Sequence, residues 1–197
     1  MGTHSTIAIE RIDGTRTAIY CHYDGYVEYN GVLLQQYYNT AEKVEELLKL
    51  GDLSVLGARI IPNEENSFGK NENNEDCCRP YTLRGEPLHQ SDNKEEFNYV
   101  FDEDEGVWFV EYEESRKPHF DDDYLTGYLC FYNWKYYSYT TKPLIEAILE
   151  SEYVTWDTFK EQGVTIESLV ENAREARLKA CQRQEEIYND YYHAYCD

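Results

Sequence analysis

Apolar and polar positions alternate with period two at the start of the chain. Thr6 to Ile12 reads T-I-A-I-E-R-I, Asp13-Gly14 follows, and Thr15 to Tyr23 reads T-R-T-A-I-Y-C-H-Y. Two strand-like runs joined by Asp-Gly predict a hairpin with a two-residue type I′ loop, which needs positive φ at both central positions. In that register Ile7, Ile9, Ala18, Tyr20 and His22 share one face. Ala8, Ile12, Ile19 and Cys21 share the other, and Arg11 faces Arg16. Apolar residues on both faces place the pair inside a sheet rather than at its rim.

The period then changes to that of a helix. V-L-L-Q-Q-Y-Y after Asn30-Gly31 predicts a short helix. Thr40 reads as the N-cap of the next, with Lys43 where a capping box has Glu, and Val44, Leu47 and Leu48 recur at helical spacing up to Gly51. F-N-Y-V-F and V-W-F-V-E-Y flank D-E-D-E-G at Asp102 to Gly106, a second hairpin with an acidic tip. A third aromatic run, Tyr128 to Thr140, predicts one or two further strands, and Pro143 opens the helix L-I-E-A-I-L. From Ile166, apolar residues recur at Leu169, Val170, Ala173, Ala176, Ala180, Ile187 and Tyr191, the spacing of a long amphipathic C-terminal helix. Residues 62–94 are rich in Asn, Glu, Gly and Ser, the composition of a flexible insertion. The expected fold is a single α+β domain over residues 1–197. Its antiparallel sheet, with the N-terminal hairpin and the aromatic strands, is packed by helices that include the C-terminal one.

Charge changes this picture from fold to association. The net charge is −21 over 197 residues, and the stretch Asp92 to Asp123 holds thirteen carboxylates against three bases. Such a field draws in cationic surfaces and repels nucleic acid. Disorder, the usual partner of high net charge, is opposed by an aromatic fraction of 15 % with 20 Tyr. The N-terminus lacks the basic start and apolar core of a signal peptide, and no apolar run spans a membrane. Gly2 and Thr6 fit the loose myristoylation pattern, yet Thr6 opens a strand and an acidic chain gains nothing from an anionic bilayer. A cytoplasmic protein without a membrane partner is expected.

Six cysteines are scattered without a C-x-x-C pair, so free thiols are expected, with a zinc site from distant Cys and His as the alternative. Tyr20 to Tyr26 brings Cys21, His22 and Asp24 close together, as nucleophile-and-base chemistry would require. In a strand, Cys21 and His22 point to opposite faces, whereas His22 and Asp24 share one and can pair. The simpler reading is a core cysteine, a histidine oriented by a carboxylate, and an Asp-Gly turn. Asp121, Asp122 and Asp123 offer clustered oxygens, but the calcium-loop pattern D-x-[DN]-x-[DN]-G is missing, and a solvated acidic loop is expected. Nucleotide-loop, Rossmann, zinc-protease and nucleophile-elbow motifs are also missing, so no cofactor or metal is expected.

The acids of the 92–123 stretch are interleaved with Phe97, Tyr99, Phe101, Trp108, Phe109 and Tyr112, which mounts them on strands. Nucleic-acid phosphates lie about 3.4 Å apart along one strand, close to the roughly 3.2–3.4 Å rise of a β-strand. Carboxylates held so can occupy a basic groove meant for DNA or RNA; the bland alternative is a solubilising surface.

The opening M-G-T-H-S-T-I-A-I-E, with A-I-Y-C-H-Y-D-G-Y-V-E-Y-N-G-V-L-L and Y-Y-N-T-A-E-K-V-E-E-L-L, resembles a family of small bacteriophage and prophage proteins of uncharacterised function. Members typically begin M-G-T-R-S-T-I and carry C-H-W-D-G-Y; His4 and Tyr23 stand here in place of the Arg and the Trp. The resemblance covers about the first 60 residues. It implies no catalytic residue, but it does imply a phage accessory protein acting in the bacterial cytoplasm.

Two function classes follow. The first is a non-enzymatic phage inhibitor, a DNA mimic that binds a basic host protein handling nucleic acid, such as a CRISPR effector (an anti-CRISPR role), a restriction enzyme or a nuclease, without binding nucleic acid itself. Its contact residues are Asp102, Glu103, Asp104, Glu105, Glu111, Glu113, Asp121, Asp122 and Asp123, with Trp108 and Tyr112 as aromatic anchors. The second is an enzyme or nucleotide-signal-binding protein with a pocket around Cys21, His22 and Asp24, where Arg11, Arg16 and Arg59 would offer the positive charge. Self-association through the C-terminal helix, giving a homo-oligomer, is a third reading.

Overall fold

The computed structural model describes residues 3–60, 76–80, 95–113 and 139–196. Seven strands form one mixed sheet in the order β4-β3-β2-β1-β5-β6-β7. The strands are β1 Ser5–Glu10, β2 Arg16–Cys21, β3 Leu53–Val55, β4 Arg79–Pro80, β5 Phe97–Asp102, β6 Val107–Glu113 and β7 Tyr139–Pro143. Among the described residues five α-helices accompany them: α1 Val32–Tyr37, entered through a π-helical turn at Val27–Gly31, α2 Ala41–Leu48, α3 Leu144–Glu150, α4 Trp156–Lys160 and α5 Ile166–Cys196. The class is α+β, as the sequence pattern implies.

The sheet departs from a purely antiparallel one at two joints. β1 runs parallel to β5 and β2 parallel to β3. The first hairpin also differs from the two-residue loop that Asp-Gly suggests. Ile7 pairs with Ile19 and Glu10 with Arg16, so Arg11 does not face Arg16. Arg11 N donates to Thr15 O at 2.8 Å, closing a three-residue loop in which Gly14 takes φ 80°. Burial explains the choice. This register puts Ile7, Ile9, Ile19 and Cys21 on one face, all fully buried, and a slip of one residue would turn one strand's set outward.

That face carries the core. Tyr99 and Phe101 of β5 and Trp108 and Val110 of β6 continue it, and α1, α2, α3 and the first half of α5 cover it with Leu33, Leu34, Val44, Leu47, Ile148 and Leu169. The Thr40 hydroxyl accepts from Lys43 N at 3.4 Å, the N-cap of α2. Thr165 and Ser168 cap α5 reciprocally, each side-chain oxygen accepting from the other's backbone N–H. Gly51 leaves α2 with φ 73°.

Of the segment 62–94, residues 76–80 are described: they supply the edge strand β4 and bury Cys77 and Cys78. The remainder of that segment, the aromatic run before Tyr139, and Asp121, Asp122 and Asp123 lie outside the described residues.

Candidate functional site

Because β1 and β5 are parallel, the turn after β1 and the turn after β5 emerge at the same end of the sheet, with Glu10 opposite Asp102 and Glu103 N bonded to Glu10 O at 3.0 Å. The acidic tip Asp102–Gly106 therefore sits beside the first hairpin loop.

The four acids of the tip have four different settings. Asp102 Oδ1 accepts from the backbone N–H of Asp104 and of Glu105, each at 2.9 Å, which fixes the turn. Glu103 continues the alternation of Phe97, Tyr99 and Phe101 and so turns to the helix side. There its side chain is 5 % exposed, with Arg183 at 2.8 Å and Arg11 at 3.7 Å. Arg11 also pairs with Glu45 of α2, and that hydrogen bond holds its guanidinium above the ordinary range. Asp104 is exposed and accepts from Gln184 Nε2 at 2.7 Å, while its carbonyl accepts from the same amide at 2.9 Å. Glu105 is exposed.

Gly106 seats this turn on α5. With φ at 65°, a Cβ built there would lie 2.5 Å from the Ala176 carbonyl oxygen and 2.8 Å from the Ala180 Cβ. Ala176 and Ala180 are buried. A cleft of about 490 Å³ opens between α2, the tip and α5, floored by Phe101 and rimmed by Glu42, Lys179 and Arg183.

Along β6, Glu111 and Tyr112 are half-buried, and Thr141 of β7 donates to Glu111 at 3.4 Å. Trp108 lies inside: it is 2 % exposed and its indole donates to Tyr38 O at 2.7 Å. Tyr112, on the same side of β6 as Trp108, packs against the core beside Phe97, at the end of the strand away from the tip. Glu113 closes β6.

The Cys21 region is built differently. Cys21 is fully buried, receives Asn30 Nδ2 at 3.4 Å, and its thiol is pushed up to about 12 by burial. A thiol in that state is not the thiolate that nucleophilic catalysis uses. His22 lies on the opposite side of the strand, its Nδ1 2.7 Å from the Tyr20 hydroxyl and its ring stacked on His4. Asp24, at φ 56°, accepts from the Tyr26 hydroxyl at 3.4 Å. Local spacing did not reveal His4, which joins this cluster through the pairing of β1 with β2. Arg11 is engaged at the other end of the sheet.

Among the described residues no helix is long and apolar enough to cross a membrane, and no group of three or more His, Cys, Asp or Glu is placed to hold a metal ion. No family model, curated protein or solved structure matches the chain.

Proposed function

We propose that this chain is a non-enzymatic acidic inhibitor that occupies the nucleic-acid groove of a basic host protein. The reading rests on one observation above the rest: the backbone of the exposed β5–β6 tip is fixed by Asp102, and the Asp104 carboxylate is held by Gln184 of α5. Carboxylates already in place lose little freedom on binding, which is the condition for affinity from a charged surface. The net charge of −21 supplies the attraction. Asp102, Asp104, Glu105 and Glu111 make the contact, and Asp121, Asp122 and Asp123 add to the charge; Tyr112, packed on the core side of β6, is not part of it. Glu103 acts from behind, as the tie that holds the tip.

The resemblance of the first 60 or so residues to phage and prophage proteins supplies the setting. Such an inhibitor works in the bacterial cytoplasm against a defence protein such as a CRISPR effector, restriction enzyme or nuclease. The test is competition: candidate enzymes are loaded with labelled duplex or guide RNA, and the acidic protein is titrated in. Displacement that weakens steeply as salt is raised from about 50 to about 500 mM supports the reading, because screening falls hardest on contacts of this kind. Binding without displacement, or with no salt dependence, counts against it.

A further inference from the structure

At the end of the sheet remote from the acidic tip, two histidines meet. His4 precedes β1 and His22 follows β2, and antiparallel pairing brings their rings to 4.8 Å between centroids at 28°. Tyr20 of β2 stands edge-on to His4 at 5.6 Å, and Tyr23 edge-on to His22 at 4.4 Å. The run into β5 contributes the carboxylates: Glu95 Oε2 is 3.9 Å from His4 Nδ1, and Glu96 Oε2 accepts from His4 N at 3.2 Å. Asp52 accepts from Tyr20 N at 2.9 Å.

This stack closes on a backbone contact with no spare room. Gly25 N donates to Thr3 O at 2.8 Å, and a Cβ on Gly25 would lie 2.7 Å from the His4 carbonyl carbon. Gly25 O in turn accepts from the buried Tyr99 hydroxyl at 2.8 Å. Residues 3–4 thus lie over the 22–25 turn and over the polar end of a core tyrosine.

We propose that the His4–His22 stack is an acid-opened clasp: it holds residues 3–4 over the 22–25 turn while both rings are neutral, and releases them when both are protonated. When both rings carry a proton, like charges meet across the stack, with the Glu95 carboxylate on the His4 side as counter-charge. Protonated His22 donates from both ring nitrogens, so the Tyr20 hydroxyl must then accept from Nδ1. Burial first, and His4 second, hold His22 below the ordinary histidine value. The unfolded chain therefore takes up this proton before the folded one. The clasp contributes fully above about pH 6.5 and weakens as pH falls toward the depressed folded value.

Amide hydrogen exchange tests it, after correction for the intrinsic pH dependence. Between about pH 7.5 and about pH 5, either side of free histidine, Gly25 should lose at least tenfold in protection, while Ile19 at mid-sheet keeps its own. His22→Phe and His4→Phe keep an aromatic ring without a proton site, and both should retain Gly25 protection at the lower pH. Gly25 equally protected at both pH values, or lost as far in the Phe variants as in the parent, overturns the clasp. Should a Phe variant be unprotected already at neutral pH, the ¹⁵N titration of His22 in the unaltered protein decides, and a midpoint at or above that of free histidine overturns it.

Discussion

Glu103 Oε1 lies 2.8 Å from Arg183 Nη1, so an acid of the solvent-facing tip is tied to the C-terminal helix 80 residues further along the chain. The same carboxylate lies 3.7 Å from Arg11 and accepts from Ile12 N at 3.4 Å, which joins both hairpin turns and α5 through one side chain. Glu103→Gln keeps the shape and removes the charge. It should lower stability by about 1–2 kcal/mol, less than a fully buried pair would lose, because Arg11 and Arg183 can turn to water. The urea midpoint should fall for this variant and stay unchanged, within about 0.5 kcal/mol, for Glu105→Gln. Equal effects would mean that Glu103 is an ordinary surface acid.

Gly106 makes the second tie, and it differs from Gly14 in a way that substitution can read. Both have positive φ, 65° and 80°, but a Cβ at Gly14 meets nothing within 4 Å, whereas one at Gly106 runs into the backbone of α5. Gly14→Ala should cost about 1 kcal/mol, the price of the left-handed conformation alone. Gly106→Ala should cost more than about 2 kcal/mol, because the tip must lift from α5. Chemical denaturation of both variants checks this. Similar losses would argue that the seat of the tip on α5 is loose.

How much of this was legible beforehand depends on the range of the interaction. The second hairpin, the Thr40 cap, the Pro143 helix start and the Leu169–Ala180 stripe are all encoded within a few residues, and the pattern locates them. The parallel pairing of β1 with β5 joins residues about 90 apart in sequence and leaves no local mark. For the first hairpin Asp-Gly fits either loop length, and only the burial of Ile7, Ile9, Ile19 and Cys21 decides between them. Glu103 is the more instructive case. Strand alternation from Phe97 through Phe101 already pointed it inward, but the run D-E-D-E invited reading all four acids alike.

The state of Cys21 yields a direct chemical prediction. Its burial and raised thiol should make it inert to iodoacetamide at neutral pH, as should burial for Cys77 and Cys78, whereas exposed Cys181 should react within minutes. Peptide mapping of the alkylated native protein reads this out, with a denatured control in which all six cysteines react. Rapid native labelling of Cys21 would reopen the nucleophile reading of the Cys21, His22 and Asp24 segment.

The acids proposed to bind can be separated from the acid that holds. Asp104→Lys with Glu105→Lys reverses two exposed charges, and the Gln184 amide still has the Asp104 carbonyl to donate to, so the fold should survive with a urea midpoint near the parent's. Relief of self-repulsion in a chain of net charge −21 acts in the same direction. Binding to the basic partner should suffer mainly through a slower association rate at low salt, with the loss shrinking as salt rises. Reversal of Asp121, Asp122 and Asp123 in a separate variant asks whether they share the contact. If either set alone abolishes displacement of nucleic acid from the partner, the contact lies there. If both variants inhibit as the parent does, the acidic surface serves solubility and the mimicry proposal fails. Glu103→Lys must stay out of this comparison, because it would place a cation between Arg11 and Arg183 and lose binding through the fold.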